Sequence, residues 1–220
     1  MTESETPDTG RVTVMATKEP WTEPTLELTV HPSKPPFTVD DLLQFPEDGN
    51  RYELLNGSLL VSPSPVPMHQ RVVSRLQAIF EAVAPPEFDT LADVNLRIGP
   101  SDFFIPDLAV VRADDVELTP LMFAPKEILL VIEIGSRATQ LRDRVLKRAS
   151  YAEAGIPIYW RVEIIETPVV FTYELDGEEY RPAERFEAGS VATLPAPFEI
   201  SFDPAQLIAR RGGPVNPEVR

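Results

Sequence analysis

The chain has no cysteine and only two histidines, His31 and His69, among its 220 residues. Without cysteine there is no disulfide, no thiolate nucleophile, no zinc–thiolate site and no iron–sulfur cluster. Two histidines are too few for a histidine-rich metal centre. No window approaches the run of about 20 apolar residues that a membrane-spanning helix needs. The opening MTESETPDTGRVTV lacks the basic start and apolar stretch of a secretory signal, so the expectation is a cytoplasmic chain without a membrane partner. Basic residues are scarce: 20 Lys and Arg face 35 Asp and Glu, a net charge of −15. Such a balance argues against a surface coated with nucleic acid, because phosphates reward clustered Lys and Arg. A locally basic groove or a metal-dependent site remains open. Chemistry is left to carboxylates, Lys, Arg and hydroxyls.

What is present is the balance of an ordinary globular protein, 43% hydrophobic and 25% charged. The length suits one domain of about 100–200 residues with something left for tails. Residues 1–36 are rich in Thr, Glu and Pro and carry no sustained period, so they are expected to be a disordered or loosely attached tail. The expected folded unit is 37–208, with a flexible tail over 209–220.

Inside that unit the grammar is mixed. Thr38 before VDDLLQF offers an N-cap with acids in the first turn. RYELL and SLLVS flank Asn56-Gly57, a two-residue hairpin signal. A helix is expected at about His69–Ala84, with Val72, Val73, Leu76, Ile79, Phe80 and Val83 as its apolar stripe. Strands are expected at 90–98, at Asp107–Val111 and at Glu127–Ile134, the last apolar on both faces like a central buried strand. A second helix is expected at about 139–154, closed by Gly155, and IYWRVEII then reads as a strand. The order predicts a mixed α/β (α+β) domain.

Glu133 sits among apolar and small neighbours, Leu129 to Ile132 and Ile134-Gly135. An unpaired charge there costs several kcal/mol, so a metal, Arg or Lys must meet it, unless the strand end has already reached solvent. Asp107 follows Pro106 at the mouth of another apolar strand. It either converges with Glu133 or caps a loop through backbone amides. Two carboxylates that converge need a proton or a divalent ion between them, and oxygen ligands suit Mg²⁺ or Mn²⁺. Arg137, Arg142, Arg144, Lys147 and Arg148 face a single acid, Asp143, over residues 137–148. Arg144, Lys147 and Tyr151 share one helical face, with Leu141, Val145, Ala149 and Ala152 opposite, so Lys147 either looks toward Glu133 or lies on a solvated face. Glu53 reads as half of an Arg51–Glu53 pair on a solvated strand face. His69 reads as a cap-region residue or a substrate contact.

PDLAVV at 106–111, LLVIEIGS at 129–136 and RDRVLKRASYAEAGIPIYW at 142–160 together resemble the PD-(D/E)XK nucleases. With RYELLNGSLLVSPSPVPMHQRVV at 51–73, they resemble more closely the Uma-type restriction-endonuclease family. The resemblance implies a restriction-endonuclease-like mixed sheet flanked by helices. It implies Mg²⁺ (or Mn²⁺) held by Asp107, Glu133 and the Ile134 carbonyl, with Lys147 supplied from a helix because Gly135 occupies the superfamily's strand-lysine position. Glu53 would join the catalytic set. His69, Arg142, Arg144 and Arg148 would contact nucleic acid, expected to be DNA, in a homodimer; Tyr151 and Trp160 would be packing residues. Two positions depart from the family: GSRAT follows the acid strand, and Ile158 stands where a Glu usually precedes Tyr-Trp. The expected function is metal-dependent phosphodiester hydrolysis. The alternatives are a catalytically weakened nucleic-acid or protein-binding module, and a carboxylate-pair hydrolase that needs no metal.

Overall fold

The structure is a computed structural model and describes residues 36–45, 49–62, 64–135, 146–194 and 197–210. The first element, α1 (Val39–Leu42), is a single turn closed by a capping box: the Asp41 N–H donates to the Thr38 hydroxyl, and the Thr38 N–H donates to the Asp41 carboxylate. The hairpin follows as read. β1 (Arg51–Leu55) and β2 (Ser58–Ser62) pair antiparallel about Asn56 and Gly57, with φ of +49° and +73°. Asp102 stiffens the turn by accepting the Asn56 N–H at 2.7 Å.

The helix after the proline-rich loop, α2 (Pro67–Glu81), starts two residues earlier than expected, because Pro67 takes the first helical position, where its missing N–H costs nothing. His69 is therefore inside the first turn. Residues 90–98 do not form one strand. They divide into β3 (Phe88–Ala92) and β4 (Leu96–Arg97), which belong to different sheets. Asp93 turns the chain between them at φ +53°, a left-handed conformation that Asp tolerates better than most residues. β5 (Phe103–Phe104), β6 (Leu108–Arg112) and a helix not anticipated from periodicity, α3 (Ala113–Leu118), lead into β7 (Ile128–Gly135). Of the expected helix at 139–154, residues 146–154 are described and include α4 (Arg148–Glu153); residues 139–145 lie outside the described residues. Then come β8 (Ile158–Glu163), β9 (Val169–Asp176), β10 (Glu179–Tyr180), β11 (Glu184–Glu187), β12 (Ala192–Leu194) and β13 (Ile200–Phe202).

The main sheet has the order β10-β9-β8-β7-β6-β3, with β11 beside β9. β7 is central, parallel to β8 and antiparallel to β6, as its two-sided apolar run required. A smaller sheet, β2-β1-β5-β4, and the pair β12-β13 complete the mixed α+β fold. Because side chains alternate across a strand, the main sheet has two distinct faces. On one, Val72, Leu76 and Phe80 of α2 pack against Leu108, Val110, Leu130, Ile132 and Trp160. On the other, Ala109, Val111, Val131 and Tyr159 pack with Tyr151, Tyr173 and Phe104. Glu133 belongs by parity to this second face, beneath the small sheet.

Of the expected apolar stripe, Ala152 is buried and Ala149 exposed, while Lys147 and Tyr151 are also buried. Lys147 thus looks toward Glu133 rather than lying on a solvated face, because the polar side chains find partners inside.

Gly57→Ala should lower stability by at least about 1 kcal/mol, since φ is positive and the added Cβ would collide with the Pro36 side chain. Urea denaturation checks this; an unchanged midpoint would contradict the turn described.

Candidate active site

Three segments distant in sequence meet at the carboxyl end of β7. Glu53 projects from β1 on the side opposite Leu54, which belongs to a separate apolar cluster with Val39, Leu59 and Phe103. Glu53 is 4% exposed and Glu133 also 4%, and Lys147 at 3% lies between them. The Lys147 Nζ donates to Glu53 Oε1 at 2.8 Å and to Glu133 Oε1 at 3.0 Å. Glu53 Oε1 also accepts the Ile105 N–H at 2.8 Å. The ammonium further faces the Phe104 ring at 5.6 Å. Glu53 is thus not on a solvated face and does not pair with Arg51. The hairpin strand turns it inward because a buried cation is there to receive it.

Tyr151 donates its hydroxyl proton to Glu133 Oε1 at 2.6 Å. Burial, then the charges of Glu133 and Glu53, push the phenol well above its ordinary range, so it stays a donor. The packing role expected for Tyr151 is incomplete: it also orients a carboxylate. Trp160 does pack, against Phe80 and Phe202 on the opposite face.

Asp107 completes the cluster. The β6–β7 register pairs Leu108 with Ile132, and one step further brings Asp107 alongside Glu133. Its Oδ2 accepts the Ile134 N–H at 2.7 Å and lies 3.2 Å from His69 Nε2. Its Oδ1 meets the Arg51 guanidinium at 3.3 Å. Arg51 is held by the Ile105 carbonyl at 2.5 Å and also reaches Asp93 at 3.1 Å. Burial alone would raise the Asp107 pKa, but the His69 hydrogen bond and charge, the Arg51 charge and the Ile134 N–H hold it down at about 2. Burial likewise would lower the His69 pKa, yet the Asp107 hydrogen bond and charge raise it above its ordinary 6.5. His69 Nδ1 is buried without a hydrogen-bond partner.

The structure therefore brings together Asp107, Glu133, Lys147, Glu53, His69 and the backbone N–H of Ile134. Arg148 is elsewhere: its guanidinium lies over the Tyr173 ring at 5.4 Å. Arg142 and Arg144 lie outside the described residues. Sequence reading missed the role of Tyr151 and the attachment of Arg51 to Asp107. The i, i+4 spacing of Lys147 and Tyr151 was the available signal for the first. Ile158, the departure before Tyr-Trp, packs with Leu130 and Trp160 on the face away from Glu133, so it removes no group from the cluster. Among the described residues no three His, Asp or Glu side chains form a ready metal cage. Two buried carboxylates on adjacent strands nevertheless suit a hard divalent ion that keeps most of its waters.

Two outcomes follow for the metal-free protein. Lys147→Met should cost about 3–5 kcal/mol, because it strands two buried carboxylates, and adding Glu133→Gln should recover part of that; denaturant midpoints measure both. The His69–Asp107 pair stabilises fully below the unfolded His value of 6.5 and above the unfolded Asp value of 3.8. Its contribution is lost as pH rises through the raised His69 pKa, and lost again as pH falls toward 2. The stability difference between wild type and Asp107→Asn should therefore peak between these limits, and NMR should place the His69 ring above 6.5 in wild type alone. A His69 value at or below 6.5 in chelator would contradict the geometry.

No curated protein matches the chain. A solved structure from Anabaena variabilis ATCC 29413, described as "a putative nuclease belonging to DUF820", aligns with a TM-score of 0.63 at 19% identity. The alignment covers 79% of this chain and 98% of that one, and at such identity the likeness concerns the fold. A family model described as "Uma2: Putative restriction endonuclease" matches residues 39–207, which span α1, both sheets and every member of the buried cluster. Over most of its length, the chain belongs to the Uma2 family.

Proposed function

We propose that the chain is a divalent-metal-dependent endonuclease that hydrolyses phosphodiester bonds of DNA. The observation that carries this reading is the buried cluster of Asp107, Glu133, Glu53 and Lys147, in which Glu53 and Glu133 share one ammonium and Asp107, held by Arg51 and His69, lies on the strand beside Glu133. So many buried charges make a poor stability device and a suitable catalytic one.

In this reading Asp107 and Glu133, with the Ile134 carbonyl, hold Mg²⁺ or Mn²⁺. Bound there, such an ion activates water and neutralises charge building on the phosphate. Asp107 is kept ionised by His69 and Arg51, and so is ready to act as a ligand at neutral pH. Tyr151 fixes the orientation of Glu133. Lys147, held by Glu53, positions the attacking water or donates to the phosphoryl oxygens as they gain charge. His69 contacts the substrate from the first turn of α2. Arg142, Arg144 and Arg148 are backbone contacts that add affinity without reading sequence. A homodimer suits a two-stranded substrate.

Wild type should nick plasmid DNA with Mg²⁺ or Mn²⁺ and not in chelator, and Asp107→Asn or Glu133→Gln should abolish nicking. Lys147→Met should slow it about 10²–10³-fold. A lysine placed on the strand offers a sharper check, since Gly135 shares the face of Glu133 and, among the described residues, a Cβ there meets only the Val162 carbonyl at 3.9 Å. Gly135→Lys in the Lys147→Met background should restore part of the rate. A folded wild type that cleaves nothing while still binding DNA would replace the nuclease with the binding module. Metal-independent hydrolysis of a glycoside would favour the carboxylate-pair alternative.

A further inference from the structure

Glu133 is one member of a longer row. The register of the main sheet pairs Glu133 of β7 with Arg161 of β8, Arg161 with Phe171 of β9, and Phe171 with Arg185 of β11. Residues paired across neighbouring strands share a face, and strands lie about 4.8 Å apart. Acid, arginine, phenylalanine and arginine thus run in line for about 14 Å away from the carboxylate cluster. Nothing in the nuclease reading uses the last three.

Arg161 is 7% exposed, an unusual position for a guanidinium. Its plane is fixed over the Phe171 ring, 4.2 Å from the centroid, and its Nη1 meets Glu163 at 3.1 Å. Its Nε is buried with no hydrogen-bond partner. The donor edge beside Nε is therefore unspent although the group is already desolvated and oriented, which suits a phosphate oxygen. Arg185 approaches the same ring at 5.9 Å, stays half exposed, and pairs with Glu187. Arginines interleaved with an aromatic ring are how single-stranded nucleic acid is gripped without sequence readout, through phosphate contacts and stacking.

We infer that Arg161, Phe171 and Arg185 form a track for the DNA strand that flanks the scissile phosphate. Arg161 contacts the neighbouring phosphate, Phe171 offers its ring to a base or sugar, and Arg185 contacts a phosphate further along. Glu163 and Glu187 hold the two guanidinia in place from their other edges. The inference rests on the nuclease reading and names how that site takes its substrate.

The test is DNA binding, so that it does not depend on cleavage. Fluorescence anisotropy of a fluorescein-labelled single-stranded oligonucleotide, and of its duplex, is followed in EDTA over a series of KCl concentrations. Full-length wild type is compared with Arg185→Ala, Phe171→Leu and Arg161→Gln, each checked by thermal melting. Arg185→Ala, altering a half-exposed side chain, should melt as wild type does. It should bind several-fold more weakly and lower the slope of log Kd against log salt by about 0.7 on single strands. Phe171→Leu should weaken binding with the slope unchanged. Arg161→Gln should lower affinity and slope as Arg185→Ala does. Wild-type affinity and slope in all three variants would overturn the track and leave the nuclease reading standing. A wild type that binds no DNA in EDTA and cleaves none with Mg²⁺ or Mn²⁺ would overturn both.

Discussion

A single ammonium group, that of Lys147, sits between two carboxylates at 2.8 and 3.0 Å in a place where water hardly reaches. Its partners come from the hairpin strand, 94 residues away, and from the central strand, 14 residues away. Remove the charge and two ionised groups remain buried without compensation, so the small sheet, the main sheet and α4 share one electrostatic dependence. An apolar trio of similar volume would hold the same elements together as well or better. Charge at this junction is therefore better accounted for by the proposed catalytic role than by stability. Around it, Tyr151 orients one carboxylate and the Ile105 N–H holds the other. The same backbone segment, through the Ile105 carbonyl, anchors the Arg51 that reaches Asp107.

The two sides of the main sheet divide the labour. α2 buries Val72, Leu76 and Phe80 on one side, where the interactions are apolar and the residues are read easily from their period. The other side carries the aromatic layer of Tyr151, Tyr159 and Tyr173, and at its end the polar groups. That partition explains why Ile158 is harmless to the cluster despite departing from the family pattern: the pleat directs it to α2. It also explains how one strand, β7, alternates between core and site, with Ile132 and Ile134 facing one way and Glu133 the other.

Much of the fold was legible in the chain because local chemistry and tertiary structure agreed. Asn56-Gly57 requires positive φ at two successive positions, Thr38 and Asp41 cap each other, and EILLVIEI can only be a buried strand. Legibility failed where a tertiary partner decided. Residues 90–98 alternate as one strand would, yet Asp93 breaks them across two sheets. Of the buried cluster, Asp107, Glu133 and Lys147 could be singled out because each was conspicuous, as a charge in an apolar run or as part of a basic cluster. Glu53 was reached only through the family resemblance, since RYELL offers Arg51 as a nearer partner and the folded chain alone shows Lys147 arriving from elsewhere. Arg161 was invisible for the same reason: its meaning lies in its neighbours on β7 and β9, not in its own segment.

The net charge of −15 is compatible with a substrate that is itself an anion if charge is arranged rather than summed. Acidic groups are concentrated where a divalent ion would neutralise them, and guanidinia are aligned beside them. The central claim is that Asp107 and Glu133 are the ligands of that ion. Isothermal titration of Mn²⁺ into the metal-free protein tests it most directly. The account predicts saturable binding in wild type that is lost in Asp107→Asn and in Glu133→Gln, with both variants folded. Binding that survives both substitutions, or a folded wild type that takes up no ion, would contradict it.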